Sequence, residues 1–372
     1  MKGDYGKMMN ENNLIDLAER FVMQETDDNK LVRLGLGVEG LDKAYEEAHR
    51  IAGKMEDKYV DGTNLSVDIL HVSDDLVLPV LLITDGNRLL NRYPFSSRAF
   101  SQLCDRVGMG ATAYMKKCLK MGTSELVPLN LNTWIKKNSD KQFLVRLYDG
   151  QVQAVLTSSY GIFDHVDALE CLDSSLGGRN KYQIEAFSVT PDNMHIRMVD
   201  TESVILRDPH GKTDTSVAGL VFRNGQTGWA SASIEFMVYT FACTNGLIVA
   251  PDKGIVYYRK HIRIDKEDFI EEVTKTLDNF PAYVDEARKD LERARMYRAR
   301  MDERTVEYLK RGLSIGDETV DKIKDVMNRD WDTTMWGLSG AITQVAQEYN
   351  AQRQYDFERF AGRLLDSPRI AV

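Results

Sequence analysis

The run GLVFRNGQTGWASASIEFMVYTFACTNG, from Gly219 to Gly246, constrains this chain more than any other segment. It reads as two β-strands rich in β-branched and aromatic residues, joined by a Gly-containing turn. The second strand ends at a Cys-Thr-Asn-Gly corner, where the backbone must change direction. Few folds need that combination, so the segment speaks to lineage more than to chemistry.

The elements around it fall into three stretches. Asn13–Gln24 and Val38–Tyr59 carry apolar residues at helical spacing, Leu41, Ala44, Ala48, Ile51 and Met55 in the second, and both precede the first strand signals. Asn64–Val72 alternates as a half-buried strand should, and the run after it contains Pro79, which points to an edge or a bend. Three short helices follow, Ser96–Gly108 with a Ser cap, Thr112–Met121 and Leu129–Lys137. Gln142–Ser158 holds two runs flanking Asp149-Gly150, a strong hairpin signal. Further strands are expected at Tyr182–Thr190, Met194–Val199, Val204–Leu206, Val217–Arg223, Ala230–Ala242 and Ile255–Ile262, with one helix at His165–Leu172. From Asp265 the chain reads as helical: a break near Phe280 before Pro281, a helix running Tyr283–Leu313, then Thr319–Met327, Thr333–Tyr349 and Tyr355–Leu365. The expected fold is α+β: a central, mainly antiparallel sheet with hairpins, helices before it and a charged helical layer after it. The expected divisions are N-terminal helices and first strands (1–90), a basic helical block (91–140), a β-rich core (141–264) and a helical region (265–372).

No run of apolar residues is long enough to span a membrane, and the polar N-terminus lacks the apolar core of a secretory signal. Cys104, Cys118, Cys171 and Cys243 are scattered, which favours reduced, buried thiols over disulfides or zinc. These features fit a cytoplasmic protein. The net charge is −9, but it is unevenly spread: residues 1–90 carry −8 and residues 91–160 carry +6. The basic segment contains Lys116, Lys117, Lys120, Lys136, Lys137 and Arg146. A local cationic surface of this kind can hold a polyanion on an acidic protein.

Catalytic signatures are sparse. Gly35, Gly37 and Gly40 match GxGxxG, but without a useful preceding strand they read as a helix-start turn. Asp164, His165 and Asp167 place two carboxylates beside an imidazole, which suits either a metal or a helix cap; the cap is the simpler reading. Asp208-Pro-His210 reads as a turn, and His195 and His261 as hydrogen-bonded strand residues. No cofactor motif is present. Tyr148 and Tyr160 near the hairpin, and Tyr258, Arg259 and Lys260 on the last strand, add rings to cations, the pairing that single-stranded nucleic acid requires.

Three blocks resemble the phage- and plasmid-encoded domain-of-unknown-function family 932. They are SSRAFSQLCDRVGMGATAYMKKCL with the following LNLN, VRLYDGQVQAVLTSSYGIFDHVDALECL, and FRNGQTGWASASIEFMVYTFACTNGLIV ending in YYRKHI. WDTTMWGLSGAITQVAQEY resembles a fourth block, and the chain departs from the family pattern around Gln226 and Phe241. The order of hairpin, helix and sheet is similar, distantly, to phage single-strand annealing proteins of the Redβ/Erf type. The resemblance implies a non-enzymatic, mobile-element protein that binds single-stranded DNA, promotes annealing and works as a homo-oligomer. Lys116, Lys117, Lys120, Lys136, Lys137, Arg146, Arg259 and Lys260 would then contact phosphates, while Tyr148, Tyr160 and Tyr258 stack on bases. The alternatives are a protein–protein module, in counter-defence or replication, and a metal-dependent nuclease using Asp164 and Asp167.

Overall fold

The computed structural model describes residues 11–23, 30–37, 40–73, 76–86, 88–179, 181–206, 215–240, 245–248, 256–262 and 264–366. The fold is α+β, with antiparallel pairing in all three sheets. The elements in chain order are α1 (Glu11–Met23), β1 (Val32–Gly37), α2 (Gly40–Ala52), β2 (Met55–Asp61), β3 (Leu65–His71), β4 (Val77–Asp85) and β5 (Arg88–Pro94). Next come α3 (Ser97–Arg106), α4 (Thr112–Lys120), α5 (Leu126–Lys136), β6 (Gln142–Tyr148), β7 (Gln151–Thr157) and α6 (His165–Leu176). The strands β8 (Tyr182–Val189), β9 (Met194–Leu206), β10 (Ser216–Asn224), β11 (Ala232–Thr240), β12 (Asn245–Ile248) and β13 (Val256–Arg259) follow. The chain ends with α7 (Lys266–Asp278), α8 (Phe280–Met296), α9 (Glu303–Leu313), α10 (Asp317–Asp330), α11 (Met335–Ala346) and α12 (Ala351–Asp366).

The strands build a seven-stranded sheet in the order β1-β8-β9-β10-β11-β12, with β13 also on β11, and two three-stranded sheets, β2-β6-β7 and β3-β4-β5. There are two principal apolar cores. One, around Phe95, Phe100, Leu103, Val145 and Val155, gathers α1, α3–α5 and the two small sheets. The other, around Phe222, Phe236, Phe269 and Phe280, lies on the large sheet and its helices. The β6–β7 hairpin lies chiefly in the first core, and only the half-buried Tyr148 at its end packs against the second. Phe143, Val145 and Leu147 face the first core, whereas Leu144, Ala154 and Leu156 form a separate buried patch on its other side.

Local chemistry explains most boundaries. The Ser96 hydroxyl caps α3 by accepting from Ala99 N at 3.1 Å. Pro281 sits in the first turn of α8, where its missing N–H costs nothing. The Asn132 side chain bonds both N–H and C=O of Val67, at 2.7 and 2.9 Å, and so completes β3 where no strand does.

Several expectations need correction. The helix expected to reach Tyr59 stops at Ala52, and residues 55–61 form β2, whose residues pair with β6 from Met55↔Tyr148 to Asp61↔Gln142. A strand, β1, does precede the GxGxxG triplet, but it pairs antiparallel with β8 and opens no parallel crossover. Gly40 is required there by close packing, because a Cβ would lie 2.5 Å from Ile184 Cβ. Pro79 lies in the central strand β4, one residue beyond the last β4–β5 pair, Val80↔Pro94. The Tyr283–Leu313 helix breaks between α8 and α9, where Asp302 caps α9 by accepting from Thr305 N. The Cys-Thr part of the corner, Cys243 and Thr244, lies outside the described residues, as do Asp208, Pro209 and His210. Cys104, Cys118 and Cys171 are free and buried.

The hairpin turn behaves as its sequence requires. Asp149 and Gly150 have φ of 50° and 80°, the paired left-handed conformation of a type I′ turn. Gly150→Val forces a β-branched side chain into that region and should lower urea-denaturation stability by about 1–2 kcal/mol. Asp149→Gly should be nearly neutral; equal losses for the two would contradict this account of the turn.

Candidate nucleic-acid interface and the buried clasp beside it

The eleven residues expected to bind nucleic acid do not form one surface. Arg146 is the clearest correction, because its side chain is fully buried. It lies on the face of β6 opposite the first core, and the loop between β10 and β11 covers it. Its Nε and Nη2 hold Asp57 on β2 at 2.7 and 3.2 Å, Nη2 also holds Asp164 at 2.7 Å, and Nη1 donates to the Gln226 carbonyl at 2.6 Å. Burial disfavours the guanidinium charge, yet the two carboxylates outweigh it and hold the Arg146 pKa above its ordinary value. Four of its five N–H donors are engaged in these bonds, and burial keeps the group away from a solvent-borne phosphate.

The loop that covers Arg146 is Asn224–Gly228, the turn of the most informative sequence block. Asn224 donates to Phe163 O at 3.1 Å and to His165 Nδ1 at 3.2 Å. The Gln226 side chain accepts from His165 N and donates to Pro191 O. Gln102 on α3 donates to Thr227 O at 2.8 Å and accepts from Val155 N. Gly228 has φ of 79°, and a Cβ there would lie 2.7 Å from Leu156. The block therefore clasps the hairpin, α3, the start of α6 and the β8–β9 turn together.

The Asp164 group is part of the same clasp. Asp164 and Asp167 form a capping box at the start of α6, and Lys266 pairs with Asp167 at 2.6 Å. His165 is buried, with Nε2 3.0 Å from Thr190 O. Among the described residues no group of three or more His, Cys, Asp or Glu side chains could hold a metal. Tyr160 is half-buried and stacked on His261, with ring centroids 5.3 Å apart and planes at 2°. It is not an open platform for a base. Tyr148 is half-buried too, and its hydroxyl accepts from Arg50 at 3.3 Å.

The remaining residues separate into two groups. Tyr258, Arg259 and Lys260 are exposed on and just after β13, which packs on β11 and α7, and Arg359 sits 5.4 Å over the Tyr258 ring. Strand geometry ends at Arg259, so His261 turns inward instead of continuing the alternation. The lysines belong to the other core, on α4 and α5, which pack on one another. Lys116 is half-buried and donates to Ser97 at 2.8 Å; burial lowers its pKa. Lys117, Lys120, Lys136 and Lys137 are exposed, and none has an acidic partner among the described residues. Tyr114, 50% exposed, precedes Lys117 by one turn of α4. Trp134 precedes Lys137 by one turn of α5, with the ammonium 4.6 Å over the indole.

A second polar assembly lies under α12, on the face of the large sheet away from its main core. Arg197 pairs with Glu358, and Tyr355 donates to Glu235, all four being buried. The Arg223 guanidinium lies 3.6 Å over the Tyr355 ring, and Arg33 pairs with Glu185 at 2.7 Å. Neither Glu185, Arg197, Arg223, Glu235 nor the helix residues Tyr355 and Glu358 figured among the expected site residues. Their signal was a charge inside an otherwise apolar strand, as in QIEAFSV, MHIRMV and ASIEFMVY.

Comparison places these features in a lineage. Residues 153–364 match the sequence profile of the family described as Domain of unknown function (DUF932). That span exceeds half of the chain, so the chain belongs to this family. The buried layer under α12 lies within the matched span, and the lysines of α4 and α5 precede it. No curated protein and no solved structure matches the chain. Among the described residues no helix is long and apolar enough to cross a membrane.

Two predictions concern the clasp. Arg146→Met would leave two partly buried carboxylates unpaired and should cost about 3–5 kcal/mol in denaturant unfolding. A loss below about 1 kcal/mol would mean that water already compensates the pair. The second concerns pH. Burial lowers the folded pKa of His261 to about 4 and that of His165 to about 3. The unfolded chain therefore takes up protons below about pH 6.5 that the folded chain refuses, and stability present above that pH is lost on acidification. Neither ring nitrogen of His261 has a hydrogen-bond partner. His261→Phe should keep the stack on Tyr160 and remove up to about 3 kcal/mol of the loss between pH 6.5 and 4. Thermal melts across that range should fall less steeply in the variant; parallel curves would show that His261 is already protonated when folded.

Proposed function

We propose that this DUF932 member binds single-stranded nucleic acid through α4 and α5, with no covalent chemistry of its own. One observation carries the reading: on α4 the half-exposed Tyr114 stands one turn before the solvent-facing Lys117, while on α5 the half-buried Trp134, packed on the first core, carries the exposed Lys137 over its ring. Unpaired ammonium groups follow phosphates, and rings stack on bases that a duplex would hide. Lys120 and Lys136 extend the cationic surface. Tyr258, Arg259 and Lys260 form a second, separate exposed group that a strand long enough to leave the first would reach. Arg146 and Tyr160 are withdrawn from the interface, because the clasp consumes them. The nuclease alternative loses its motive, since Asp164 is held by Arg146 and Asp167 by Lys266.

Annealing is the activity that this reading favours, and holding strands extended on several copies of the chain would suffice for it. The setting is a mobile genetic element working in the cytoplasm of its host. A protein partner is the second reading, and Met121 and Leu129 favour it, being 67% and 66% exposed beside the same lysines.

Anisotropy of a labelled single-stranded oligonucleotide tests the proposal. Affinity should fall steeply with salt, and each lysine neutralised should reduce the log–log slope by about 0.7. The triple variant Lys117→Ala/Lys120→Ala/Lys136→Ala should bind about tenfold or more weakly at low salt, with stability changed by under about 0.5 kcal/mol per site. Unaltered affinity in that variant would refute the interface; capture of a host protein without oligonucleotide would favour the second reading.

A further inference from the structure

A cleft of about 430 Å³ lies between the start of α3, Lys30 and the α11–α12 junction. Its volume falls within the range of small-ligand pockets, roughly 300–1,000 Å³. Its cations are Lys30, Arg98 and Arg353. Lys30 is exposed and has no described partner. Arg98 is steadied by Asp192 at 2.8 Å. Arg353 is oriented by the carbonyl oxygens of Leu313 and Ser314, and its charge interacts with the Asp356 carboxylate in the same cleft.

Two carboxylates also line the cleft. Glu348 is neutralised by Lys322 at 2.9 Å, and Asp356 accepts from Gln352 at 3.0 Å. The 16-residue helix α12 begins at this wall, where Asn350 accepts from Arg353 N at 2.9 Å, so the positive end of its dipole faces the space. Behind Gln352 stands Arg223, only 7% exposed. Its Nη2 donates to Gln352 at 2.8 Å, while its Nε has no hydrogen-bond partner. Arg223, Arg353 and Arg359 all act on the single carboxylate of Asp356, so positive charge is in excess at this wall.

We propose that this cleft binds a phosphate monoester, with Arg98 and Arg353 on its oxygens and Lys30 closing over it. The planar guanidinium forks can each take two oxygens of a tetrahedral phosphate at once. The site is distinct from the α4–α5 surface, and the proposal does not rest on nucleic-acid binding there. The phosphate would come from a free mononucleotide or from the 5′ end of a strand.

Calorimetric titration of the full chain with adenosine monophosphate tests this, with adenosine as the control. The monophosphate should bind with a dissociation constant in the roughly micromolar to low-millimolar range, and adenosine should not. Lys30→Gln, at an exposed position, and Arg98→Gln should each weaken binding by about fivefold or more, whereas Lys117→Ala should leave it unchanged. A 5′-phosphorylated oligonucleotide that displaces the nucleotide, where its 5′-hydroxyl counterpart fails, identifies a strand end as the source. If neither displaces it, the source is a small molecule. Equal affinity for adenosine, no saturable binding, or full affinity in Lys30→Gln would overturn the proposal.

Discussion

The guanidinium of Arg146 is the interaction on which the arrangement of this molecule depends. It lies where the hairpin of the first core meets the loop between β10 and β11, and it bonds Asp57 from β2, Asp164 from α6 and Gln226 from that loop. Removing an arginine from water is costly, and a site of this kind is stable only when opposite charge and hydrogen bonds compensate it. Here the partners come from segments far apart in sequence, so the charge is satisfied only when both cores are assembled together. The Asn224–Gly228 turn, the start of α6 and the Tyr160–His261 stack are held by this one contact region.

The local plan of the fold was legible from the residues. Asp149-Gly150 specified its turn, Ser96 and Asp265 their helix starts, and Pro281 the break after Asp278. What sequence periodicity did not reveal was the number of layers. On β6, Arg146 and Tyr148 lie on the face away from Phe143 and Val145, but an alternating strand looks the same whether its second face meets water or another layer. Likewise β1 is short and rich in glycine, and Met55–Asp61 is so charged that it continued the helical pattern by eye; only pairing with β8 and β6 defines these strands. Tertiary pairing overrode local preference in both cases.

The same distinction sorts the cations. Arg146, Arg197 and Lys116 are engaged by the fold, the first two in buried ion pairs and the third by Ser97. Lys117, Lys120 and Lys136 are exposed without an acidic partner among the described residues, while Lys137 is held over the Trp134 ring. A count of charges along the chain found the segment but not this division. The buried layer of Glu185, Arg197, Glu235, Tyr355 and Glu358 lies inside the family's matched span.

Amide hydrogen exchange on the intact chain, with and without a single-stranded oligonucleotide, addresses the central claim most directly. The account predicts slowed exchange across residues 112–137, with β6 and β7 unchanged because their amides are already protected in the free protein. Protection confined to other segments, or an exchange pattern indifferent to the oligonucleotide, would contradict it.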